Sequence, residues 1–303
     1  MNTSKTSILV RIKDNTLSYS FIVPMLILYG VFSLYQIGTV FYLSFFKGRL
    51  YSRTITEFVG WENYIRLFKD PEILQVLKTT FTYIIIIVVL KIGIGLFLSL
   101  WLSKNTRTNK IARTLIFLPT ATSGIATGLI WNTMYNPRYG LINNALNFLH
   151  LDFLTRSWLG NTDTALFSII VIDLWHWAGF ILIIMVAGIQ NIPQDIYDAG
   201  RIDGTNNFTE NFYITIPLIK NVFLTITLFI ITAAFKVYEY IFATTKGGPL
   251  NSTNLLAIHM YNTGIKDAQV TYGSAIAVFL FFLSLVFSGT FLILSKFGRA
   301  ERE

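Results

Sequence analysis

The chain has 303 residues, 53% of them hydrophobic and only 13% charged, with a formal charge of +8. Soluble domains carry about 25% charged residues, so this composition, with a mean hydropathy of +0.56, is that of an integral membrane protein. The absence of cysteine removes disulfides, thiolate nucleophiles and thiolate metal sites together, and the Lys/Arg runs are short and bounded by apolar segments, which fits span ends facing anionic lipid and excludes a nucleic-acid reading.

A helix needs about 20 apolar residues to cross about 30 Å of hydrocarbon. Six segments qualify, at about 17–46, 78–102, 112–135, 164–189, 217–242 and 271–295. Backbone groups in lipid must be bonded within their own segment, so the spans are read as helices and the fold class as an all-α membrane protein. Lys5, Arg11 and Lys13 precede the first span. That run is too long for a signal-peptide core and no small-residue cleavage site follows, so it is read as uncleaved. Pro24, Pro119 and Pro217 fall in the first halves of their spans, where helices tolerate them better. Gly124 and Gly128 form a G-x-x-x-G pair suited to close helix packing.

Six spans put both termini on one side of the membrane. The stretch 103–113 holds Lys104, Arg107, Lys110 and Arg113 with no acid, and is placed in the cytoplasm. The tails 1–16 and 296–303 and the stretch 190–216 then lie there too, around a membrane domain at 17–295, while about 47–77, 136–163 and 243–270 lie outside.

Between the fourth and fifth spans runs YDAGRIDGTNNFTENFYITIP, from Tyr197 to Pro217. Pro193 suits a helix start and Gly204 a stop. Ile192, Ile196 and Ala199 share one stripe, with Gln194, Tyr197, Asp198 and Arg201 opposite. A helix lying on anionic lipid should be rich in Lys/Arg on its polar face. This one is acidic, which favours a protein partner.

The stretch resembles the cytoplasmic loop of ABC importer permeases, E-A-A-x3-G-x9-I-x-L-P. Asp198, Ala199 and Gly200 hold the E-A-A places, Gly204 follows at the right spacing, and Ile214, Ile216 and Pro217 fill the end. Asp for Glu, Gly200 for the second Ala and Ile216 for Leu are the departures. GWENYIRLFKDPEILQVLKTT at 60–80, RTLIFLPTATSGIATGLIWNTMYNP at 113–137 and TTKGGPLNSTNLLAIHMYNTGI at 244–265 resemble the carbohydrate branch of that family, the maltose and glycerol-phosphate permeases.

That resemblance implies a type I importer permease fold with a coupling helix in the loop 193–217, seated in a groove of a cytoplasmic ABC ATPase. Asp198, Ala199, Gly200, Asp203, Gly204 and Pro217 would form the ATPase-coupling element. It also implies a second homologous permease subunit, an ATPase dimer and an extracytoplasmic sugar-binding protein, met by Gly247, Gly248 and Pro249 in the outer loop. The chain would supply half of a sugar passage by alternating access, in a bacterial cytoplasmic membrane. The sequence has no G-x-x-x-x-G-K-[ST] phosphate loop. It is therefore read as a non-enzyme without its own cofactor, with ATP and Mg held by the partner ATPase.

Ionisable residues inside spans are costly and face a cavity or a partner. Lys91 lies in the second span, Asp173 and His176 in the fourth, and Lys236 and Glu239 in the fifth. Lys236 and Glu239 are spaced i, i+3 and are expected to pair. Asp173 and His176 share that spacing, but no hydroxyl nucleophile or metal-ligand set accompanies them. Trp131, Tyr135, Asp173, Trp175, Trp177, Tyr238, Glu239 and Tyr240 are candidates for the substrate pathway, because sugars need flat apolar faces with polar edges. Interfacial aromatic belts explain the rings equally well. Two other classes compete: an ion-coupled secondary transporter, which often shows repeats where none is visible here, and a membrane enzyme on lipid-linked substrates, which needs convergent carboxylates where the acids are scattered.

Overall fold

The computed structural model describes residues 16–48 and 57–300. Lys5, Arg11, Lys13 and most of the two tails lie outside the described residues. Contacts divide the chain into two units: residues 1–67 with 263–278, and 68–262 with 279–303.

The first unit opens with helices α1 (Thr16–Tyr29) and α2 (Tyr35–Leu43), joined by a π-helical turn at Gly30–Leu34. Their large apolar side chains, Met25, Phe32 and Tyr35 among them, are exposed, as lipid-facing side chains are. A two-residue antiparallel ladder follows, β1 (Phe46–Lys47) with β2 (Glu57–Phe58). It leads to α3 (Glu62–Lys69), an amphipathic helix whose buried Asn63 donates to the Ser44 and Phe46 carbonyls at 2.8 and 2.9 Å.

The second unit is built round two long helices. α4 (Pro71–Leu102) starts at a complete signal: Asp70 accepts from the Glu72 N–H at 3.0 Å and Pro71 occupies the first helical position. Its 32 residues give about 48 Å of rod, more than the hydrocarbon needs. α8 (Thr162–Gln190) is capped by Asn161 and is the most buried of the long helices, with Ile169, Ile172, Ile181, Leu182 and Met185 inaccessible.

The third apolar segment is broken. α5 (Arg107–Phe117) runs into a 3-10 turn at Leu118–Ala121, and α6 (Gly124–Met134) leaves at 101°. Pro119 withdraws an N–H from the ladder. Thr122 and Ser123 are extended, and the Ser123 side chain caps a fresh helix through the Ala126 N–H. Pro119 is thus not merely tolerated, because a capping serine follows it. α7 (Leu141–Phe148) and a 3-10 turn at Asp152–Leu154 complete the link to α8.

After α8 come α9 (Gln194–Ile202), α10 (Asn207–Glu210), a π turn at Asn211–Thr215, and α11 (Ile216–Leu218). A 66° bend after Leu218 leads into α12 (Lys220–Phe235), where Pro217 again withdraws a donor. Then come α13 (Glu239–Ala243), α14 (Leu256–Tyr261) and α15 (Val270–Ala300). Among the described residues, four helices are long and apolar enough to cross a membrane, or up to six if each bent pair is one span.

Candidate functional site

The interior of the second unit holds a polar network. Lys91 of α4 places its ammonium 2.8 Å from Asp173 Oδ2 of α8, with 5% and 1% of the two side chains exposed. Tyr83 of α4 donates its hydroxyl to the same oxygen at 2.7 Å. Charges in hydrocarbon are tolerated when paired and hydrogen-bonded, and here two helices share one such pair. Asp173 and His176 do not form a dyad. His176 Nε2 lies 3.0 Å from the Thr122 carbonyl and Nδ1 lies 2.6 Å from the Tyr240 hydroxyl. A carbonyl only accepts, so Nε2 carries the hydrogen. Trp177 Nε1 donates to Tyr240 at 2.7 Å, and with a neutral imidazole the tyrosine O–H then points at Nδ1. Thr120 also donates to the His176 carbonyl at 2.7 Å. His176 and Thr120 therefore stitch the α5–α6 break to α8, with His176 serving the Thr122 carbonyl beside the break and Thr120 serving a carbonyl of α8.

The pathway candidates separate by environment. Asp173, Trp131, Tyr135 and Tyr240 are buried inside this unit and Trp177 is half-buried. Trp131 packs edge-on against Trp175 at 5.7 Å, while Tyr135 lies 6.0 Å from Trp158. Tyr238 is half-buried and stacks on Phe242 at 5.2 Å. Trp175 and Glu239 are exposed. The expected Lys236–Glu239 pair does not form among the described residues. Instead the Glu239 side chain lies over Gly124, where a Cβ would overlap its carboxylate, and Gly128 seats the Tyr240 backbone and Ala243. The G-x-x-x-G pair thus holds α6 against α13. Position inside apolar segments marked Lys91 and Asp173 as costly, but their partnership and the role of Tyr83 were not read from sequence; complementary charges in two separate apolar segments were the available signal.

α9 stands apart. Its end is a Schellman motif: Thr205 N–H bonds the Gly200 carbonyl at 3.0 Å and Gly204 N–H the Arg201 carbonyl at 3.1 Å, with Gly204 at φ +85°. Asn206 then caps α10. Tyr197 is buried, its hydroxyl 3.2 Å from Thr215 Oγ1, and Gly200 seats the Ile214 side chain where a Cβ would come within 2.6 Å. The face that packs is therefore Tyr197–Gly200, not the Ile196–Ala199 stripe. Ile196, Ala199 and Asp203 face solvent, and so does Ile202, at 87% exposure. Asp198 pairs with Arg201 at 3.1 Å and accepts from Gln194, both at the surface. Pro217 is exposed within the bend region.

In the 244–255 loop, Gly247 has φ +98° and the Gly248–Pro249 peptide is cis. Thr253 closes the turn on the Gly247 and Gly248 carbonyls, and Asn251 donates to Glu72 in the first turn of α4 at 3.3 Å. Among the described residues no three His, Asp or Glu side chains gather as a metal site.

Residues 91–296 match the family described as binding-protein-dependent transport system inner membrane component. The probable ABC transporter permease protein YurN of Bacillus subtilis (strain 168) is 32% identical over 296 residues, 96% of this chain and 99% of that protein. The trehalose/maltose transport system permease protein MalF of Thermococcus litoralis is also 32% identical, over 96% of this chain and 97% of its own. The crystal structure of a bacterial ABC transporter involved in the import of the acidic polysaccharide alginate has a chain that superposes with a TM-score of 0.83, at 20% identity, over 94% of this chain and 97% of that one. At that identity the likeness establishes the fold. The long apolar helices and these matches agree, and the chain belongs to the family of binding-protein-dependent transport system inner membrane components, a transport subunit and not an enzyme.

Proposed function

We propose that this chain is the permease subunit of a carbohydrate importer, with α9 as the element that couples it to a separate ATPase. The relatives named for trehalose/maltose, arabinooligosaccharides and sulfoquinovosyl glycerol support the substrate class. One solved relative is described in complex with an alginate-pentasaccharide-bound periplasmic protein, which supports a binding-protein partner. The family match favours this reading over ion-coupled transport.

In this proposal the two bent pairs each count as one span, giving six. The basic, acid-free stretch 103–113 faces the cytoplasm with both termini and α9. A second permease, most simply a different chain, completes the passage. ATP and Mg are held by the ATPase, and the chain itself binds no cofactor. Exposed Trp175 and Glu239 are the pathway residues left for the sugar. The buried Asp173, Tyr240 and Trp131 shape the bundle behind them. The Gly247–Pro249 turn is offered to the binding protein.

The observation that carries the coupling role is the outward face of Ile196, Ala199, Ile202 and Asp203 on a helix capped at its end. Ile196, Ala199 and Ile202 point away from the chain's own fold, while buried Tyr197 anchors the opposite side of the helix. The test is Ile202→Asp in the reconstituted transporter. Unchanged thermal stability with loss of sugar-stimulated ATPase activity and uptake is the expected result. Normal coupling would end the proposal.

A further inference from the structure

We propose that the groove between α5 and the last turns of α8 binds an anionic phospholipid of the surrounding bilayer. The cavity measures about 360 Å³, within the range of small-molecule sites. Its lining is divided. Lys110 and Arg113 stand at one part, and Phe117, Ile183, Val186 and Ala187 supply apolar walls. No carboxylate lines it. That is the polarity of a lipid: a phosphate beside cations, with acyl carbon continuing along hydrocarbon walls.

The charged end is built and not incidental. Arg113 donates through Nε and Nη2 to the carbonyl of Leu102, and through Nη2 to those of Ser103 and Lys104 at 2.9 and 3.0 Å. It thereby satisfies the orphan carbonyls at the end of α4. Gln190 of α8 donates to the same Ser103 carbonyl at 3.0 Å. The ends of α4 and α8 are laced to the middle of α5, and the guanidinium is fixed there. Lys110 is exposed and makes no ion pair among the described residues, so its charge is available to a phosphate. Lys104 and Arg107 precede it in an acid-free run. This inference requires membrane insertion and does not depend on which solute is carried.

The chain has no cysteine, so Ala187→Cys, at an exposed wall position, gives a unique thiol in this subunit. The full-length variant is reconstituted with its partner subunits into phosphatidylcholine vesicles with or without phosphatidylglycerol, and the rate of maleimide labelling is measured. Phosphatidylglycerol should slow labelling several-fold, and adding Lys110→Gln should raise the amount needed about five-fold. Lys110 is used because Arg113 also holds the end of α4. Equal protection in both vesicle types, protection by inorganic phosphate alone, or lipid-independent protection that appears only with the ATPase subunit would each overturn the proposal. The last outcome would assign the groove to a protein contact. Sugar uptake is measured in parallel: lost uptake with retained lipid protection counts against the carbohydrate reading alone.

Discussion

The bundle interior and the α9 region both carry charge beside small residues, but they handle it in opposite ways. Inside, Lys91, Asp173 and Tyr83 meet one another across α4 and α8 with almost no exposure. On α9, Asp198 and Arg201 pair with more than half of each side chain in solvent, and Ile202 is almost fully exposed. The interior has its partners within one subunit. The α9 surface is finished locally by its cap and its Tyr197 anchor, yet leaves an outward face unfilled. A substitution in the first should be read in stability, and one in the second in coupling.

The sharpest way to break that contrast is Asp173→Ala. It leaves a buried ammonium and a buried hydroxyl unpartnered, and should cost about 3–5 kcal/mol. Thermal unfolding of the purified subunit should show the largest loss of any single change considered. Replacing the whole group, with Lys91→Met, Asp173→Leu and Tyr83→Phe together, should recover most of it, because no buried polar atom of the three is then left alone. If the single variant is as stable as the parent, the pair does not hold α4 to α8.

Next in size is Gly179→Ala. A Cβ there meets the Ile116 carbonyl at 2.3 Å and Phe117 Cα at 2.4 Å, both backbone atoms of α5. Backbone cannot rotate away, so α5 and α8 must separate, at about 1–3 kcal/mol. The melting temperature should fall, and His176 contacts across the α5–α6 break should weaken with it. An unchanged midpoint would mean that α5 is free to shift.

The apolar runs were legible because length and composition alone satisfy the bilayer. The breaks were not, although part of their cause was in plain sight. Pro119 is followed by Thr122 and Ser123, and it is the serine cap that turns a tolerated proline into a 101° bend. Periodicity found the amphipathic α9 and Gly204 marked its end, but period alone does not say which stripe packs. That was decided by Tyr197 reaching Thr215 and by Ile214 filling the space beside Gly200, contacts made by a segment more than ten residues on. Lys91 was legible as a residue needing a partner. The partner came from a different helix, and no spacing rule links two helices.

Gly204 sharpens the comparison on the α9 side. Its φ of +85° is unfavourable for L residues, yet nothing lies within 4 Å of a Cβ built there. The cost of Gly204→Val is therefore backbone strain without a clash, about 1–2 kcal/mol, whereas Gly204→Asn should be milder because asparagine tolerates this region. The global melting temperature should move less than for Gly179→Ala. ATPase coupling should fall in the order Asn, then Val, if the cap holds α9 rigid. Equal coupling in both variants would separate the cap from the function.

The smallest effect belongs to Asp198→Ala. It removes a surface pair with Arg201 and an acceptor for Gln194. Exposed pairs are screened and contribute at most about 1 kcal/mol. Arg201 also keeps a second contact, with Glu210 at 3.6 Å, which holds it near the α9–α10 turn when Asp198 is gone. The stability should therefore stay within about 0.5 kcal/mol of the parent's. If coupling also stays unchanged while Ile202→Asp abolishes it, the α9 face works through its apolar residues. If Asp198→Ala lowers coupling with the fold intact, the carboxylate meets the partner directly, and the effect should weaken as salt is raised.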